Sequence, residues 1–250
     1  MKVSELFPYT FKAMKQRRTD SRPMWQQRQS ANSDFCRAMV TQGYLTEGQM
    51  REAVGRYRLG CSRDGGVIFW QIGPTGSIYD GKIMYYRPDG HRDHDRHPQW
   101  VSNLLKRQFL SQFPEMAPWM PESHHCLFGL HQISLADGAD NADKVAVVEA
   151  EKTAVILSAH FPEYLWLAAG GLFELTADKL FPLRSHPIVL FPDTDPEGRA
   201  YARWYDVARE ARHCYGCRIT VSSLLERRAT TAQKAAKIDL ADLLFENKPQ

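Results

Sequence analysis

Hydrophobic residues along the chain fall into short runs, and their arrangement changes at the polar break Ala136-Asp137-Gly138-Ala139-Asp140-Asn141. Before the break the pattern is mixed. Residues 1–30 are polar, basic and rich in Gln without a period, which predicts a loosely held arm. Asn32-Ser33-Asp34 offers short polar side chains able to cap a helix. Thr46-Glu47-Gly48-Gln49 has capping-box spacing and predicts a second helix through Ala53 to about Tyr57. Val67 to Ile72 and Ile78 to Tyr86, rich in β-formers around Gly73-Pro74-Thr75-Gly76, predict a hairpin. Residues 100–122 read as a short helix and a Pro/Met/Trp-rich connection, and 124–133 contain the apolar piece Cys126-Leu127-Phe128-Gly129-Leu130.

After the break, strand and helix alternate. Val145–Val148, Tyr164–Ala168, Ile188–Phe191 and Arg218–Val221 read as strands. Lys152–His160, Thr176–Leu183, Gly198–His213 and Leu240–Phe245 read as helices. Strands of four or five apolar residues between helices predict a mostly parallel sheet covered on both faces. In the helix from Gly198, Tyr201, Trp204, Tyr205, Ala208 and Ala211 recur as one apolar face. The expected fold is α/β: a C-terminal sheet domain over residues 142–250, preceded by a smaller α+β subdomain over 31–135 and the arm.

Charge modifies this picture only locally. The net charge is +3 among 250 residues, so the total demands no polyanionic partner. Residues 1–30 nevertheless hold seven Lys/Arg against two acids, and 197–237 hold nine against four, enough either for solvated faces or for following phosphates. Five scattered cysteines include Cys214-Tyr215-Gly216-Cys217, but nothing completes a zinc site, so reduced thiols are expected. His91, His94 and His97 alternate with Arg and Asp and end in proline, the pattern of a solvated loop. No signal peptide and no apolar run near the ~18 residues of a spanning helix are found, which predicts a cytoplasmic protein without a membrane partner.

The chemistry is concentrated at two predicted strand ends. Leu190-Phe191-Pro192-Asp193-Thr194-Asp195-Pro196-Glu197-Gly198 stops an apolar run at two carboxylates, and Val147-Val148-Glu149 stops another at one. Ligands gather at the carboxyl ends of strands in open α/β sheets. If the strands are neighbours, Glu149, Asp193 and Asp195 converge on a site suited to Mg²⁺ or Mn²⁺, with Asp239 and Asp242 as further outer ligands. An EF-hand loop counted from Asp193 would need Glu at its twelfth position, which is Trp204. A phosphatase pattern would want Thr or Val where Glu197 stands, and no GxxxxGK[ST] loop occurs. Arg199 and Arg203 lie four apart beside these acids, placed either to bind phosphate or to balance local charge. Lys82, inside the second hairpin strand, is either solvent-facing or a phosphate contact.

A strand-ending glutamate followed some forty residues later by Asp-x-Asp-x-x-Gly resembles the Toprim domain of bacterial primases, topoisomerases and related nucleases. The resemblance covers residues 144–245, with Ile238-Asp239-Leu240-Ala241-Asp242 similar to the closing segment of primases, and the hairpin region loosely similar to the subdomain before Toprim in those proteins. It departs at Ala150 and Thr153, where the family usually has Gly and primases commonly have Asp. It implies Glu149 as general acid/base or metal ligand, Lys152 as a second catalytic candidate, and Asp193, Asp195 and Asp239 around Mg²⁺ (or Mn²⁺). Lys82, Arg199 and Arg203 are the implied nucleic-acid contacts. The implied function is primer synthesis by metal-dependent nucleotidyl transfer on single-stranded DNA, for a bacterial or mobile-element replicon, with nucleotides as substrates and a helicase or other replication protein as partner. A Toprim nuclease and a non-catalytic nucleic-acid-binding module are the alternatives.

Overall fold

A computed structural model describes residues 30–133 and 144–245. The arm, apart from Ser30, and the boundary at 136–141 lie outside the described residues. Helix α1 (Asp34–Thr41) starts where Ser33 Oγ accepts the Cys36 N–H, and α2 (Glu47–Tyr57) starts at a complete capping box between Thr46 and Gln49. Such caps satisfy N–H groups that have no intrahelical partner, and each contributes about 1 kcal/mol. An antiparallel sheet follows in the order β1 (Gly60–Cys61), β2 (Val67–Ile72), β3 (Ile78–Met84), β4 (Gln99–Trp100). The expected hairpin is β2–β3, with Phe69 opposite Lys82 and Trp70 opposite Gly81. A side chain at Gly81 would begin 2.7 Å from the Trp70 ring, so the indole lies where only glycine leaves room. The second strand ends at Met84, two residues earlier than expected, and Tyr86 instead bridges to Arg92. His91, His94 and His97 are exposed in the turns beyond it.

Buried Asp80 binds this sheet to helix α3 (Val101–Leu110). Its carboxylate accepts the Ser102 N–H at 3.0 Å and the Ser102 hydroxyl at 2.5 Å, and His125 Nε2 lies 3.2 Å away. A buried carboxylate is tolerated when its lone pairs are used in this way.

The second sheet is wholly parallel, in the order β6 (Tyr164–Ala168), β5 (Lys144–Val148), β7 (Pro187–Phe191), β8 (Arg218–Val221). The expected α/β class is what the structure shows, with the four predicted strands within a residue of their expected bounds. Successive side chains of β5 point to opposite faces. Val145 and Val147 join one cluster with Ile188, Leu190, Trp204, Ala208 and Ala211, while Ala146 and Val148 join another with Ile156, Leu157 and Trp166. Helices α4 (Glu151–His160), α5 (Ala177–Leu180) and α6 (Arg199–Tyr215) provide the cover, and a 3-10 turn over Phe181–Leu183 completes the helix expected from Thr176. The inward face of α6 is Ala200, Trp204, Val207, Ala208 and Ala211. Tyr201 and Tyr205, expected on that face, stack on each other at its flank, and Tyr205 is exposed. Three short helices close the chain: α7 (Leu224–Arg228), α8 (Thr231–Ala236) and α9 (Leu240–Phe245). Among the described residues all cysteines are free, and no helix is long and apolar enough to cross a membrane.

The two sheets share one hydrophobic cluster. Tyr57 stacks on Phe128 at 4.9 Å, and Phe128 meets Phe69 edge-on at 5.3 Å, each contact adding about 1 kcal/mol beyond area burial. The Tyr57 hydroxyl lies 2.9 Å from the Trp166 carbonyl, and Phe128 pairs with Ala168 in an antiparallel bridge that covers the edge of β6. His131 joins the same seam through Nε2, 3.0 Å from the Arg56 carbonyl, while its Nδ1 is buried without a hydrogen-bond partner among the described residues. Burial lowers its pKa from 6.5 to about 4. The unfolded chain therefore binds a proton that the folded chain refuses, and stability falls as pH drops from 6.5 towards 4. Urea unfolding across this range should show the loss in the parent protein and a flatter profile in His131→Gln. Equal slopes in the two proteins would contradict this role for His131.

Candidate metal centre

The sheet order places β5 between β6 and β7, so the chain leaves β5 towards one side and later returns on the other. Ligands bind at such a switch point, outside the carboxyl ends of the strands. Val148 of β5 pairs with Phe191 of β7. Glu149 is thus one residue beyond a strand end and Asp193 two residues beyond its neighbour. Both line a cavity of about 810 Å³ together with Asp195, Arg199, Arg203, Phe173 and Lys237. The cavity is bounded by the Gly170–Thr176 loop after β6 and by the first turns of α6.

Asp193 receives no hydrogen bond among the described residues. Its pKa is raised well above the ordinary carboxylate range, first by burial and then by the charges of Glu149, Asp239 and Asp242, with Lys152 opposing. Glu149 is raised too, chiefly by burial, against the backbone N–H of Leu172 and the charge of Lys82. Asp239 follows the same pattern: burial and Asp242 raise it, while Lys152 and the Thr153 hydroxyl lower it. Thr153 Oγ1 donates directly to Asp239, and the Thr194 N–H binds the Ile238 carbonyl at 3.2 Å, drawing the closing segment against the β7 loop.

Asp195 differs from the other three. One carboxylate oxygen accepts the Glu197 N–H at 2.9 Å and the other the Ala200 N–H at 2.8 Å. Burial acts to raise its pKa, but the N–H groups of Ala200, Arg199 and Glu197 outweigh it and hold the acid below its usual range. Asp195 therefore caps α6 at the turn through Gly198, whose φ of +66° is left-handed. Lys152 is half-buried, with its ammonium 5.8 Å from the Tyr44 ring centroid and its charge acting on Asp193 and Asp239.

Lys82 is largely enclosed. Its ammonium pairs with Glu151 at 3.2 Å and donates to the Gly170 carbonyl at 2.7 Å, and only 12% of the side chain is exposed. Arg199 is exposed and pairs with Glu197 at 3.1 Å. Arg203 donates from Nε to the Leu172 carbonyl at 3.3 Å and from Nη2 to the Phe173 carbonyl at 3.4 Å. Glu226 and Lys234 go unread in the sequence, and Thr153 reads there only as a departure from the family pattern. Glu226 accepts the Thr194 hydroxyl at 3.1 Å and the Lys234 ammonium at 2.9 Å, and Thr153 orients Asp239. The Thr230–Gln233 capping box is the available signal for the helix that carries Lys234.

Among the described residues, no three His, Cys, Asp or Glu side chains form a ready-made metal cage. Mg²⁺ does not require one, because it keeps several waters and binds through one or two carboxylates. Two adjacent acids, both with their pKa raised by burial and by neighbouring like charge, make a donor set that a divalent cation fits.

Fold and site together define an α/β protein with an acidic cleft at the switch point of a parallel sheet. Residues 33–194 match the family described as a domain of unknown function, DUF6371, and the chain belongs to that family. The match takes in Glu149 and Asp193 and stops before Asp195. No curated protein matches the chain. Among solved structures, it is similar to the primase fragment of the bacteriophage T7 primase-helicase protein, at 18% identity over 70% of this chain and 61% of that one, with a TM-score of 0.42. It is similar also to a DnaG primase catalytic domain bound to single-stranded DNA, at 16% identity over 88% and 80%, TM-score 0.46. A third is the E. coli primase catalytic core, at 17% identity over 80% and 64%, TM-score 0.38.

Proposed function

We propose that the chain is a primase-like Toprim protein that joins nucleotides on a single-stranded DNA template in a metal-dependent reaction. The observation that carries this reading is the convergence of Glu149 and Asp193 at the ends of adjacent parallel strands, in one cavity, with charges that repel each other. The Toprim-like motifs run through these same residues. Asp193 and Glu149 would hold Mg²⁺ or Mn²⁺, with Asp239 behind them. Such an ion supplies positive charge to the phosphoryl oxygens and to the attacking and leaving oxygens of an in-line displacement.

The chain's own groups have separate tasks in this reaction. A 3′-hydroxyl oxygen forms a bond to the α-phosphorus of a nucleoside triphosphate as the bond to pyrophosphate breaks. The hydroxyl proton passes to Glu149, whose raised pKa suits an acceptor working nearer neutrality. Arg199, exposed at the cavity, contacts phosphate, and Lys152 offsets the acids without filling the site. Asp195 holds the β7–α6 turn, so its effect is on the geometry of Asp193.

The test is primer synthesis. Labelled nucleotides, several single-stranded templates and Mg²⁺ or Mn²⁺ should give short oligonucleotides with the parent chain, and none with Glu149→Gln. Absence of product on every template, with metal-dependent nicking of plasmid DNA instead, would replace nucleotidyl transfer with hydrolysis at the same acids.

A further inference from the structure

Phe173 is 72% exposed, the most exposed large hydrophobic side chain among the described residues, yet its backbone is firmly held. Trp204 Nε1 donates to the Leu172 carbonyl at 3.2 Å, alongside the two Arg203 bonds to Leu172 and Phe173. The Arg203 guanidinium carbon lies 4.6 Å from the centroid of the Phe173 ring. Upstream, the loop is pinned where Lys82 binds the Gly170 carbonyl and the Gly170 N–H binds the Glu149 carbonyl at 2.9 Å. A singly exposed aromatic needs no explanation. One presented from a loop fastened on both sides, at the rim of the cavity that holds Glu149 and Asp193, does. The adjacent Leu172 N–H acts on the Glu149 carboxylate, so ring and acid are separated by a single residue of this fixed loop.

We propose that Phe173, backed by Arg203, is a stacking platform for the base of the nucleotide whose phosphates enter the acidic cavity. The inference rests on the nucleotide-joining reading of that cavity and adds the group that receives the base. Every nucleobase has a π-face, so stacking on an aromatic ring is strong and tolerant of sequence. The Arg203 cation on one face of the ring adds to the attraction. Phe173 has no polar atom, so the platform selects for a base without selecting which base.

The base can belong to a free nucleoside triphosphate or to the end of a single strand, and 2-aminopurine, whose fluorescence is quenched by stacking, distinguishes them. The parent chain with Mg²⁺ should quench 2-aminopurine riboside triphosphate, a short oligonucleotide ending in 2-aminopurine, or both, and Phe173→Tyr should do the same. Phe173→Ala should bind the responding probe about tenfold more weakly or worse, with the quench lost. Competition by inorganic tripolyphosphate, which has no base, should be equal in parent and Phe173→Ala, reporting that the cavity is intact. A response to the triphosphate alone assigns the platform to the incoming nucleotide, and a response to the oligonucleotide alone assigns it to the strand. Undiminished binding and quenching in Phe173→Ala would overturn the platform. Phe173-dependent quenching without primer synthesis would support it while removing the polymerising reading. Failure of the parent to bind either probe or tripolyphosphate would remove both.

Discussion

In the presence of a chelator, Asp193→Asn is expected to melt at a higher temperature than the parent chain, and it should lose both the stabilisation by Mg²⁺ and the activity. Asp193 accepts no hydrogen bond among the described residues, and Glu149, Asp239 and Asp242 all act on it with like charge. Without a cation, the folded state must keep this carboxylate protonated or bear the repulsion, and neither cost exists in the unfolded chain. Asparagine keeps the shape and removes the charge. Each kcal/mol relieved should raise the melting point by about 3 °C for a chain of this size. With Mg²⁺ at a hundred times its dissociation constant, the parent gains about 2.7 kcal/mol, whereas the variant gains little. Losing an ion that stabilises transition-state charge by several kcal/mol lowers the rate by roughly a thousandfold. Thermal melts with and without Mg²⁺ test the first half, and labelled-nucleotide incorporation the second. A variant that melts lower than the parent in chelator, and that Mg²⁺ still stabilises, would show that Asp193 is an ordinary structural acid.

Much of this site can be read from the sequence because its parts are local. A strand of four apolar residues ending at an acid is a pattern within one short window, and Val145–Val148 and Ile188–Phe191 both present it. That the two strands are neighbours is decided only by the sheet order, in which β7 lies on the side of β5 opposite β6. The parts that escape such a reading depend on partners distant in the chain. Asp195 reads as a metal ligand because its spacing from Asp193 is visible, whereas its bonds to the Glu197 and Ala200 N–H groups exist only once α6 has formed. The seating of Asp239 depends on Thr153, 86 residues away, and on two helices of five and six residues too short to show a period. The flank position of Tyr201 and Tyr205 has a similar cause. Period alone gives a stripe, and only the packed sheet decides that Ala200 and Val207 lie at its centre. Phe173 reads as any loop residue until its carbonyl is found on Arg203.

Lys82→Ala should destabilise the chain more than any single substitution at the acids of the cavity. From β3 the ammonium reaches both carboxylate oxygens of Glu151, at 3.2 and 3.3 Å, at the start of α4, where only 3% of the Glu151 side chain is exposed. A further hydrogen bond goes to the Gly170 carbonyl at 2.7 Å, and only 12% of the lysine side chain is exposed. Removing the lysine leaves a buried carboxylate without its cation, a change that typically costs about 3–5 kcal/mol, or about 10 °C in melting temperature for this chain. The paired replacement Lys82→Met with Glu151→Leu removes both charges and should recover most of the loss, since two well-packed apolar groups are about as stable as a buried ion pair. A double-mutant cycle on denaturant midpoints measures the coupling. The alternative role, a template phosphate contact, predicts the reverse pattern: unchanged melting, weaker binding to single-stranded DNA, and a salt dependence of binding reduced by about one ion. A lysine held inside by Glu151 and Gly170 should leave that salt dependence unaltered. Its influence on function runs through the Gly170–Thr176 loop and through Glu149, whose pKa its charge helps to lower. In any folded variant lacking Lys82, the acid limb of the pH–rate profile should therefore move to higher pH. An unmoved limb together with unchanged melting would mean that the strut carries no load between the two sheets.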